Sequence, residues 1–130
     1  MDRSRLRIAV IDDDESVRKA LKRLLRAANL DADTFASGRE FLDSLASRVP
    51  DCVVLDLHMP GMNGLDVQRQ LVGNGRRVPI VVITGHDEPQ ARAQCLAAGA
   101  SAYLRKPLDD EALLDAIHRA ATAARSSPVG

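Results

Sequence analysis

Five short apolar segments alternate with longer segments of mixed character along the chain. They recur at intervals of about 20 to 27 residues and cover residues 6–11, 31–35, 52–57, 79–84 and 101–106. Apolar runs of this length, several of them rich in Val and Ile, are typical of β-strands. The runs 8–11, 53–55 and 80–83 do not alternate with polar residues, which indicates central strands that are covered on both faces.

The segments between the apolar runs carry the spacing of amphipathic helices. In the first of them, apolar residues recur every three or four positions, which is the period of one helix face: Val17, Ala20, Leu21, Leu24, Leu25 and Ala28. Residues that begin helices stand where such segments start. They are the N-cap pairs Ser37–Glu40 and Asn63–Asp66, the N-caps Asp14 and Asp109, and the hydrophobic staple pair Leu108–Leu113.

Five strands that alternate with five helices predict an α/β protein with a parallel sheet of the doubly wound, (βα)5 type. We expect a single domain over residues 1–125, because the 130-residue length suits one domain and no second pattern is present. The final stretch "AATAARSSPVG" loses the helical period, and residues 126–130 are typical of a linker or a chain terminus.

Composition and charge exclude several classes of function. Lys and Arg number 18, as do Asp and Glu, so no global attraction to nucleic acid or to an anionic membrane is expected. No apolar run approaches the roughly 20 residues that span a bilayer, and the N-terminus lacks the apolar core of a signal peptide. Cys52 and Cys95 lack metal-ligand spacing and are expected to be buried, reduced and unpaired. The sequence therefore predicts a soluble cytoplasmic protein with no direct contact to nucleic acid or membrane.

Polar residues stand at the carboxyl ends of four of the predicted strands. Asp12 and Asp13 end the first strand, Asp56 the third, Thr84 the fourth and Lys106 the fifth. In a parallel sheet these ends share one edge, where open α/β folds bind ligands. Carboxylates that converge there must bind protons or a cation, and oxygen ligands with open water positions favour Mg²⁺. A lysine and a hydroxyl opposite such a cluster indicate phosphoryl chemistry with an Asp nucleophile.

Four segments together resemble the receiver domain of bacterial two-component response regulators. They are "VIDDDESVRKAL", "VVLDLHMPGMNGLDV", "VVITGH" and "AGASAYLRKP", in the order and spacing of that family. The resemblance covers about residues 5 to 122 and implies a flavodoxin-like sheet of strand order 2-1-3-4-5. The segments "MPGMNGLD" and "ITGH" most resemble those of receivers that precede a LuxR-type helix-turn-helix output domain.

The resemblance implies a role for each residue at this edge of the sheet. Asp56 would be the phospho-acceptor, which takes a phosphoryl group from a histidine kinase, a phosphotransfer protein or a small phosphodonor. Asp12, Asp13, Asp56 and the backbone carbonyl of His58 would ligate Mg²⁺, or Mn²⁺ in its place. The implied function is a phosphorylation switch in two-component signal transduction. Such a domain catalyses its own phosphorylation and hydrolysis but is not otherwise an enzyme.

Further positions of the family concern stabilisation and switching. Lys106 would pair with the phosphoryl group, Thr84 would hydrogen-bond it, and Tyr103 would move inward as the reporter of phosphorylation. We expect a partly exposed Tyr103 ring, because Ser101 and Arg105 share its face of the strand. The surface of the fourth helix, fifth strand and fifth helix would then bind a partner or a second copy of the chain.

His58 and His86 lie two residues after Asp56 and Thr84, at positions that flank the phosphoryl group in the family. Either would tune the lifetime of the phosphorylated state. Ligation of the Mg²⁺ by an imidazole is not expected, because one oxygen-rich site accounts for the acidic cluster.

Two other functions fit parts of the pattern. A phosphatase of the haloacid-dehalogenase type also uses a strand-end Asp and Mg²⁺, but it needs a second acid two residues after the nucleophile, where His58 stands. A receiver that is never phosphorylated would serve as a docking module, although all five expected positions are filled. The natural protein that contains this sequence is either a single-domain regulator or a longer transcription factor. The segment "RSSPVG" favours the longer parent, which would bind DNA through another segment.

Overall fold

The computed structural model describes residues 5–75, 77–86 and 88–126, except for the side chains of residues 125 and 126. Five strands alternate with five helices in this part of the chain, as the apolar pattern predicts. In chain order they are β1 (Arg7–Ile11), α1 (Glu15–Ala27), β2 (Asp31–Phe35), α2 (Gly38–Ser44), β3 (Cys52–Asp56), α3 (Gly64–Gly73), β4 (Ile80–Thr84), α4 (Pro89–Ala97), β5 (Ala102–Arg105) and α5 (Asp110–Ser126).

All five strands are parallel and form one sheet in the order β2-β1-β3-β4-β5. This is the flavodoxin-like order that the sequence predicts. Every residue of β3 and β4 is buried, in agreement with the unbroken apolar runs. β1 and β3 are neighbours, with Ile11 paired to Leu55 near their carboxyl ends. The switch point at which such folds bind ligands therefore lies beside the ends of these two strands.

Helices cover both faces of the sheet and bury two apolar clusters. On one face, α1 and α5 pack on a cluster that includes Ile8, Val10, Leu25, Val54, Leu113 and Ile117. On the other face, α2, α3 and α4 pack on a cluster that includes Ile11, Phe41, Leu55, Val67, Leu71 and Cys95. Cys52 and Cys95 are buried and unpaired, as expected. Ala20, predicted to belong to the apolar stripe of α1, is exposed because it lies at the margin of the buried face.

Side-chain caps fix where the helices begin. The predicted N-caps Asp14, Ser37, Asn63 and Asp109 each accept a hydrogen bond from a backbone amide in the first turn of the helix that follows. Asn63 and Asp66 form both hydrogen bonds of a capping box at the start of α3. Each cap satisfies an amide that the helix leaves unpaired, which contributes about 1 kcal/mol of stability. The loop after β3 is thereby joined to α3 in a defined geometry.

The last helix is longer than its sequence pattern indicates. Residues 120–126, the first part of the stretch expected to lose the helical period, belong to α5, which ends at Ser126. Ala120 and Ala121 are buried, and a run of alanines favours a helix while giving little periodicity. Residues 127–130 of the predicted linker-like segment lie outside the described residues. Within the part of the chain that is described, no helix combines the length and apolar character needed to cross a membrane.

Candidate functional site

Three strands bring two carboxylates and a lysine together at the carboxyl edge of the sheet. Asp12 follows β1, Asp56 ends β3 and Lys106 follows β5. The Nζ atom of Lys106 lies 2.8 Å from Asp12 Oδ2 and 3.6 Å from Asp56 Oδ1. Asp12 is 0% exposed and Asp56 is 3% exposed, so both carboxylates are buried. Because a buried carboxylate requires a nearby opposite charge, the single ammonium group stabilises both of them.

Asp13 adds a third carboxylate to this pair. One oxygen of each of Asp12, Asp13 and Asp56 lies within 4.8 Å of the other two. Asp13 is exposed whereas the other two are buried, so the group opens to water on one side. Lys106 pairs with Asp12 and Asp56, and the third carboxylate adds negative charge that a bound cation could balance. Oxygen ligands with room for water fit Mg²⁺, and the same ligand set suits Mn²⁺.

Burial and neighbouring charges alter the ionisation of the site. Burial and, next in importance, the charge of Asp12 raise the pKa of Asp56 to about 6, while Lys106 and the backbone N–H of His58 act in the opposite direction. For Lys106, burial lowers the pKa, but the hydrogen bond to Asp12 and the charge of Asp56 outweigh it, so the pKa lies above its ordinary value. At neutral pH the site therefore holds a carboxylate on Asp56 beside an ammonium on Lys106.

The backbone of Asp12 is held by a residue that sequence reasoning missed. Arg18, in α1, donates from Nη1 to the carbonyl oxygen of Asp12 at 2.8 Å. The Asp12 side chain accepts the Asp14 amide at 2.9 Å through Oδ1, and Oδ2 accepts Lys106. These contacts fix Asp12 in place. The signal that could have found Arg18 is a cation near the start of a helix, where the helix dipole favours acidic residues.

A glycine lets α3 approach the strand that carries Asp56. A Cβ atom at Gly64 would lie 2.7 Å from the carbonyl oxygen of Asp56 and 2.9 Å from Leu57 Cα. The Gly64 amide donates to the Leu57 carbonyl oxygen at 2.9 Å. A residue without Cβ is required here because the backbones are so close. Sequence reasoning used Asn63 as a helix cap and missed Gly64, although a glycine directly after a cap was a usable signal.

Thr84 is buried at the end of β4, with its hydroxyl bound to the loop that follows. Its Oγ1 donates to the carbonyl oxygen of His86 at 2.9 Å and accepts the His86 amide at 3.0 Å. The residue is 0% exposed. The predicted hydrogen bond from Thr84 to a phosphoryl group therefore requires the hydroxyl to leave the His86 carbonyl, and it stays a prediction.

His58 and His86 meet beside the acidic group. Their ring centroids are 5.7 Å apart and their planes are perpendicular. Both residues are exposed, and they follow the adjacent strands β3 and β4. The Leu57 amide donates to the Ile83 carbonyl oxygen at 2.9 Å, which joins the start of the loop that carries His58 to β4. A role for either histidine in the lifetime of a phosphate remains a prediction.

The expectation of a partly exposed Tyr103 is wrong. Tyr103 is 7% exposed and belongs to the apolar cluster that includes Val82 and Cys95. The guanidinium of Arg92, in α4, lies 5.8 Å from the centre of the Tyr103 ring. The polar residues two positions away are exposed because they lie at the ends of the strand. The exposure of Ser101 and Arg105 therefore does not predict the exposure of Tyr103, which packs in the cluster beneath α2, α3 and α4.

The fold and the site together define a class of protein. A flavodoxin-like sheet with an acidic cluster and a lysine at its carboxyl edge is the arrangement of a receiver domain in two-component signalling. Residues 8–118 match the family described as "Response regulator receiver domain". The chain belongs to this family, and it is a signalling domain rather than an enzyme in the usual sense.

Known proteins resemble the chain over most of its length. It is 40% identical over 113 residues to the response regulator protein TodT of Pseudomonas putida, covering 87% of this chain and 50% of TodT. It is 38% identical over 111 residues to the DNA-binding transcriptional regulator NtrC of Escherichia coli, covering 85% of this chain and 24% of NtrC. The crystal structure of a response regulator receiver protein from Burkholderia phymatum shares 47% identity, covers 91% of this chain and 96% of that one, and has a TM-score of 0.81.

The chain thus spans about half the length of TodT and about a quarter of NtrC. It is a receiver domain homologous to those of two-component response regulators, some of which are transcription regulators by name. The relatives do not support the finer resemblance to receivers that precede a LuxR-type output domain, because no such domain is named among them.

Proposed function

We propose that Asp56 accepts a phosphoryl group from a phosphohistidine of a histidine kinase or a phosphotransfer protein, and that the chain acts as a phosphorylation switch. An Asp56 oxygen forms a bond to phosphorus while the P–N bond of the donor breaks and the donor imidazole leaves. The observation that carries the proposal is the buried Asp56 carboxylate, 3.6 Å from the Lys106 ammonium and grouped with two further carboxylates.

Among the three carboxylates, Asp56 suits the acceptor role best. Both oxygens of Asp12 have partners, because Oδ2 accepts Lys106 and Oδ1 accepts the Asp14 amide. Asp13 is exposed, so water competes for any group bound to it. Asp56 is ionised at neutral pH and lies beside an ammonium group that would neutralise the incoming phosphoryl oxygens.

The acidic group would hold the cation that phosphoryl transfer requires. Asp12, Asp13, Asp56 and the backbone carbonyl of His58 would bind Mg²⁺, with Mn²⁺ as an alternative. A divalent ion there would supply positive charge to the phosphoryl oxygens. Support comes from the imbalance of charge, since Lys106 pairs with two of the three converging carboxylates and the third, that of Asp13, adds to their negative charge.

Lys106 and Thr84 would bind the phosphoryl group once it is on Asp56. Lys106 would turn from Asp12 toward the new phosphoryl oxygens, over a short distance because its Nζ is already 3.6 Å from Asp56 Oδ1. Thr84 would release the carbonyl of His86, so the loop after β4 would move with it. The switch therefore begins as an exchange of hydrogen-bond partners at the ends of β4 and β5.

Tyr103 would carry the change toward the surface. Its ring is buried in the cluster on which α4 packs, so it would respond by repacking within the interior rather than by entering from solvent. Phosphorylation turns the singly charged Asp56 carboxylate into an acyl phosphate of about −2, so it adds about one unit of negative charge and new acceptor oxygens at this edge of the sheet. The surface of α4, β5 and α5 would then differ between the two states and would bind a partner or a second copy of the chain. His58 and His86, at the mouth of the site, would set how fast water removes the phosphate.

The process that this switch would control is inferred from the relatives alone. NtrC is named a DNA-binding transcriptional regulator, and this chain matches only a part of it. We infer a longer parent that controls transcription through another segment, while the receiver itself makes no contact with nucleic acid. A LuxR-type identity for that segment is not included in the proposal.

The decisive experiment is intact-mass spectrometry after incubation with acetyl phosphate and Mg²⁺. The wild type is expected to gain one phosphoryl group, with release of acetate, and to gain none in EDTA or as Asp56→Asn. Asp43→Asn, an exposed carboxylate on α2, is the matched control and should react as the wild type does. An adduct on Asp56→Asn at the wild-type rate would show that the acceptor is assigned wrongly.

Measurements on the same wild-type and Asp56→Asn proteins distinguish the proposed switch from a docking module and from a phosphatase. No adduct on the wild type, with no Mg²⁺ binding that depends on Asp13, would favour a docking module that works without phosphorylation. Steady turnover of p-nitrophenyl phosphate that Asp56→Asn abolishes would instead favour a phosphatase of the haloacid-dehalogenase type. That outcome is not expected because His58 stands where such an enzyme needs its second acid.

A further inference from the structure

Two of the three histidines of the chain meet at the mouth of the acceptor site. The rings of His58 and His86 are exposed and have centroids 5.7 Å apart. Their backbones are anchored, since the amide of Leu57, next to His58, donates to the Ile83 carbonyl oxygen at 2.9 Å and the amide of His86 donates to the Thr84 hydroxyl at 3.0 Å. The two loops are therefore held side by side, while each imidazole can turn about its own side-chain bonds.

The separation of the rings is close to that of two histidines on one metal ion. Zn–N bonds are about 2.0 to 2.1 Å long, so two imidazoles on a tetrahedral ion have ring centroids about 5 Å apart. The observed distance between the two ring centroids is 5.7 Å, and rotation of these exposed side chains can shorten it to that value. The perpendicular planes allow one nitrogen of each ring to turn toward a common point.

The chemistry of this pair differs from that of the neighbouring carboxylates. Imidazole nitrogen suits Zn²⁺, Cu²⁺ and Ni²⁺, whereas Mg²⁺ prefers the oxygen ligands of the acidic group. We propose that the imidazoles of His58 and His86 chelate a borderline divalent cation, with Zn²⁺ as the probe, at a site beside the magnesium site, to which His58 would contribute only its backbone carbonyl. Water would complete the coordination on the open side, since both residues are exposed.

An ion at this position would affect the acceptor as well as the loops. It would link the loop after β3 to the loop after β4 and would stand at the mouth through which a phosphoryl donor reaches Asp56. Bound Zn²⁺ would therefore slow phosphorylation by obstructing that approach. This second effect rests on the function proposed above, whereas the binding of Zn²⁺ does not.

Isothermal titration calorimetry of Zn²⁺ into the protein, with excess Mg²⁺ present to fill the acidic group, tests the binding. Single substitutions His58→Gln and His86→Gln are each expected to weaken the affinity by at least about tenfold, since even loss of an outer-shell partner of a metal site costs that much. His118→Gln, at an exposed position of α5, is the matched control and should bind as the wild type does. All three residues are exposed, and circular dichroism would verify that each variant is folded.

The site would be overturned by no Zn²⁺ binding in the wild type, by unchanged binding in both His58→Gln and His86→Gln, or by loss of binding in His118→Gln. Loss in Asp13→Asn without loss in the histidine variants would assign the ion to the carboxylates and would overturn it too.

Phosphorylation by acetyl phosphate in Mg²⁺, measured with and without Zn²⁺, tests the second effect. The wild type should be slowed by Zn²⁺, and the double variant of His58 and His86 should not. Zn²⁺ that binds through the histidines yet leaves the wild-type rate unchanged would refute the obstruction. A wild type that is not phosphorylated even without Zn²⁺ would count against the proposed function, and calorimetry would still decide the metal site.

Discussion

The buried Asp56 carboxylate should lower the stability of the fold at neutral pH, and removing its charge should restore that stability. Burial, with the charge of Asp12 next, raises the pKa of Asp56 from 3.8 to about 6. One pKa unit corresponds to about 1.4 kcal/mol, so a rise of about two units amounts to about 3 kcal/mol of unfolding free energy. The folded state holds this proton more tightly than the unfolded state does. The contribution of Asp56 to stability is therefore most favourable below about pH 4, falls as the pH rises and reaches its full penalty above about pH 6.

Asp56→Asn keeps the size of the side chain and removes its charge. We expect this variant to be more stable than the wild type by about 3 kcal/mol at neutral pH and to have nearly the same stability at about pH 4. Urea unfolding in EDTA, followed by circular dichroism across this pH range, measures the difference. Asp43→Asn, exposed on α2, removes the same charge and should change stability by less than about 0.5 kcal/mol at every pH.

Two results would refute this reasoning. One is an equal gain at acidic and neutral pH, which would mean that the substitution acts through packing. The other is no gain at neutral pH, which would mean that Lys106 compensates the Asp56 charge fully. Addition of Mg²⁺ supplies a separate check: it should shrink the gain, because a cation that binds the folded wild type stabilises it more than the variant.

Three further substitutions follow from the geometry. Gly64→Ala would push a Cβ to 2.7 Å from the Asp56 carbonyl oxygen, and we expect a loss of about 2 kcal/mol in urea unfolding. Gly73→Ala, in the same helix with open space around it, should be neutral or stabilising, so equal losses would contradict the steric account. Lys106→Met should cost about 3 kcal/mol at neutral pH by leaving two buried carboxylates without their cation. That loss should shrink at about pH 4, and a pH-independent loss would contradict it. Asn63→Ala should lower stability by about 1 kcal/mol in thermal unfolding, and an unchanged melting temperature would show that the capping box is dispensable.

The parts of the site that follow from sequence are those fixed by the ends of strands. Asp12, Asp56 and Lys106 each adjoin an apolar run, so a parallel sheet necessarily brings them to one edge. The strand order came from the family resemblance, and the structure has it. The helix caps were also predictable, because an N-cap is a local arrangement of a few adjacent residues.

The remaining parts depend on contacts between distant segments or on side-chain orientation. The burial of Tyr103 depends on packing by residues outside its strand, which the alternation of polar and apolar positions cannot report. Arg18 contacts the backbone carbonyl of Asp12. Because this partner is a backbone atom, a search of the sequence for oppositely charged side chains does not predict the contact. The hydrogen bond of the Thr84 hydroxyl to its own loop is set by rotation about one side-chain bond, which the sequence does not specify, and the bond to a phosphoryl group stays a prediction.

The hydrogen bond between Lys106 and Asp12 has a consequence for protein synthesis. It joins residues 94 positions apart, and Lys106 directly follows β5, the last of the five strands of this sheet to leave the ribosome. Until that strand has docked, Asp12 and Asp56 have no ammonium beside them and the phosphoryl pocket is incomplete. A nascent chain, or one cut before its fifth strand, should therefore be unable to accept the signal even though it already contains the acceptor aspartate. The bond would thus restrict the proposed phosphorylation to chains in which this domain has finished folding.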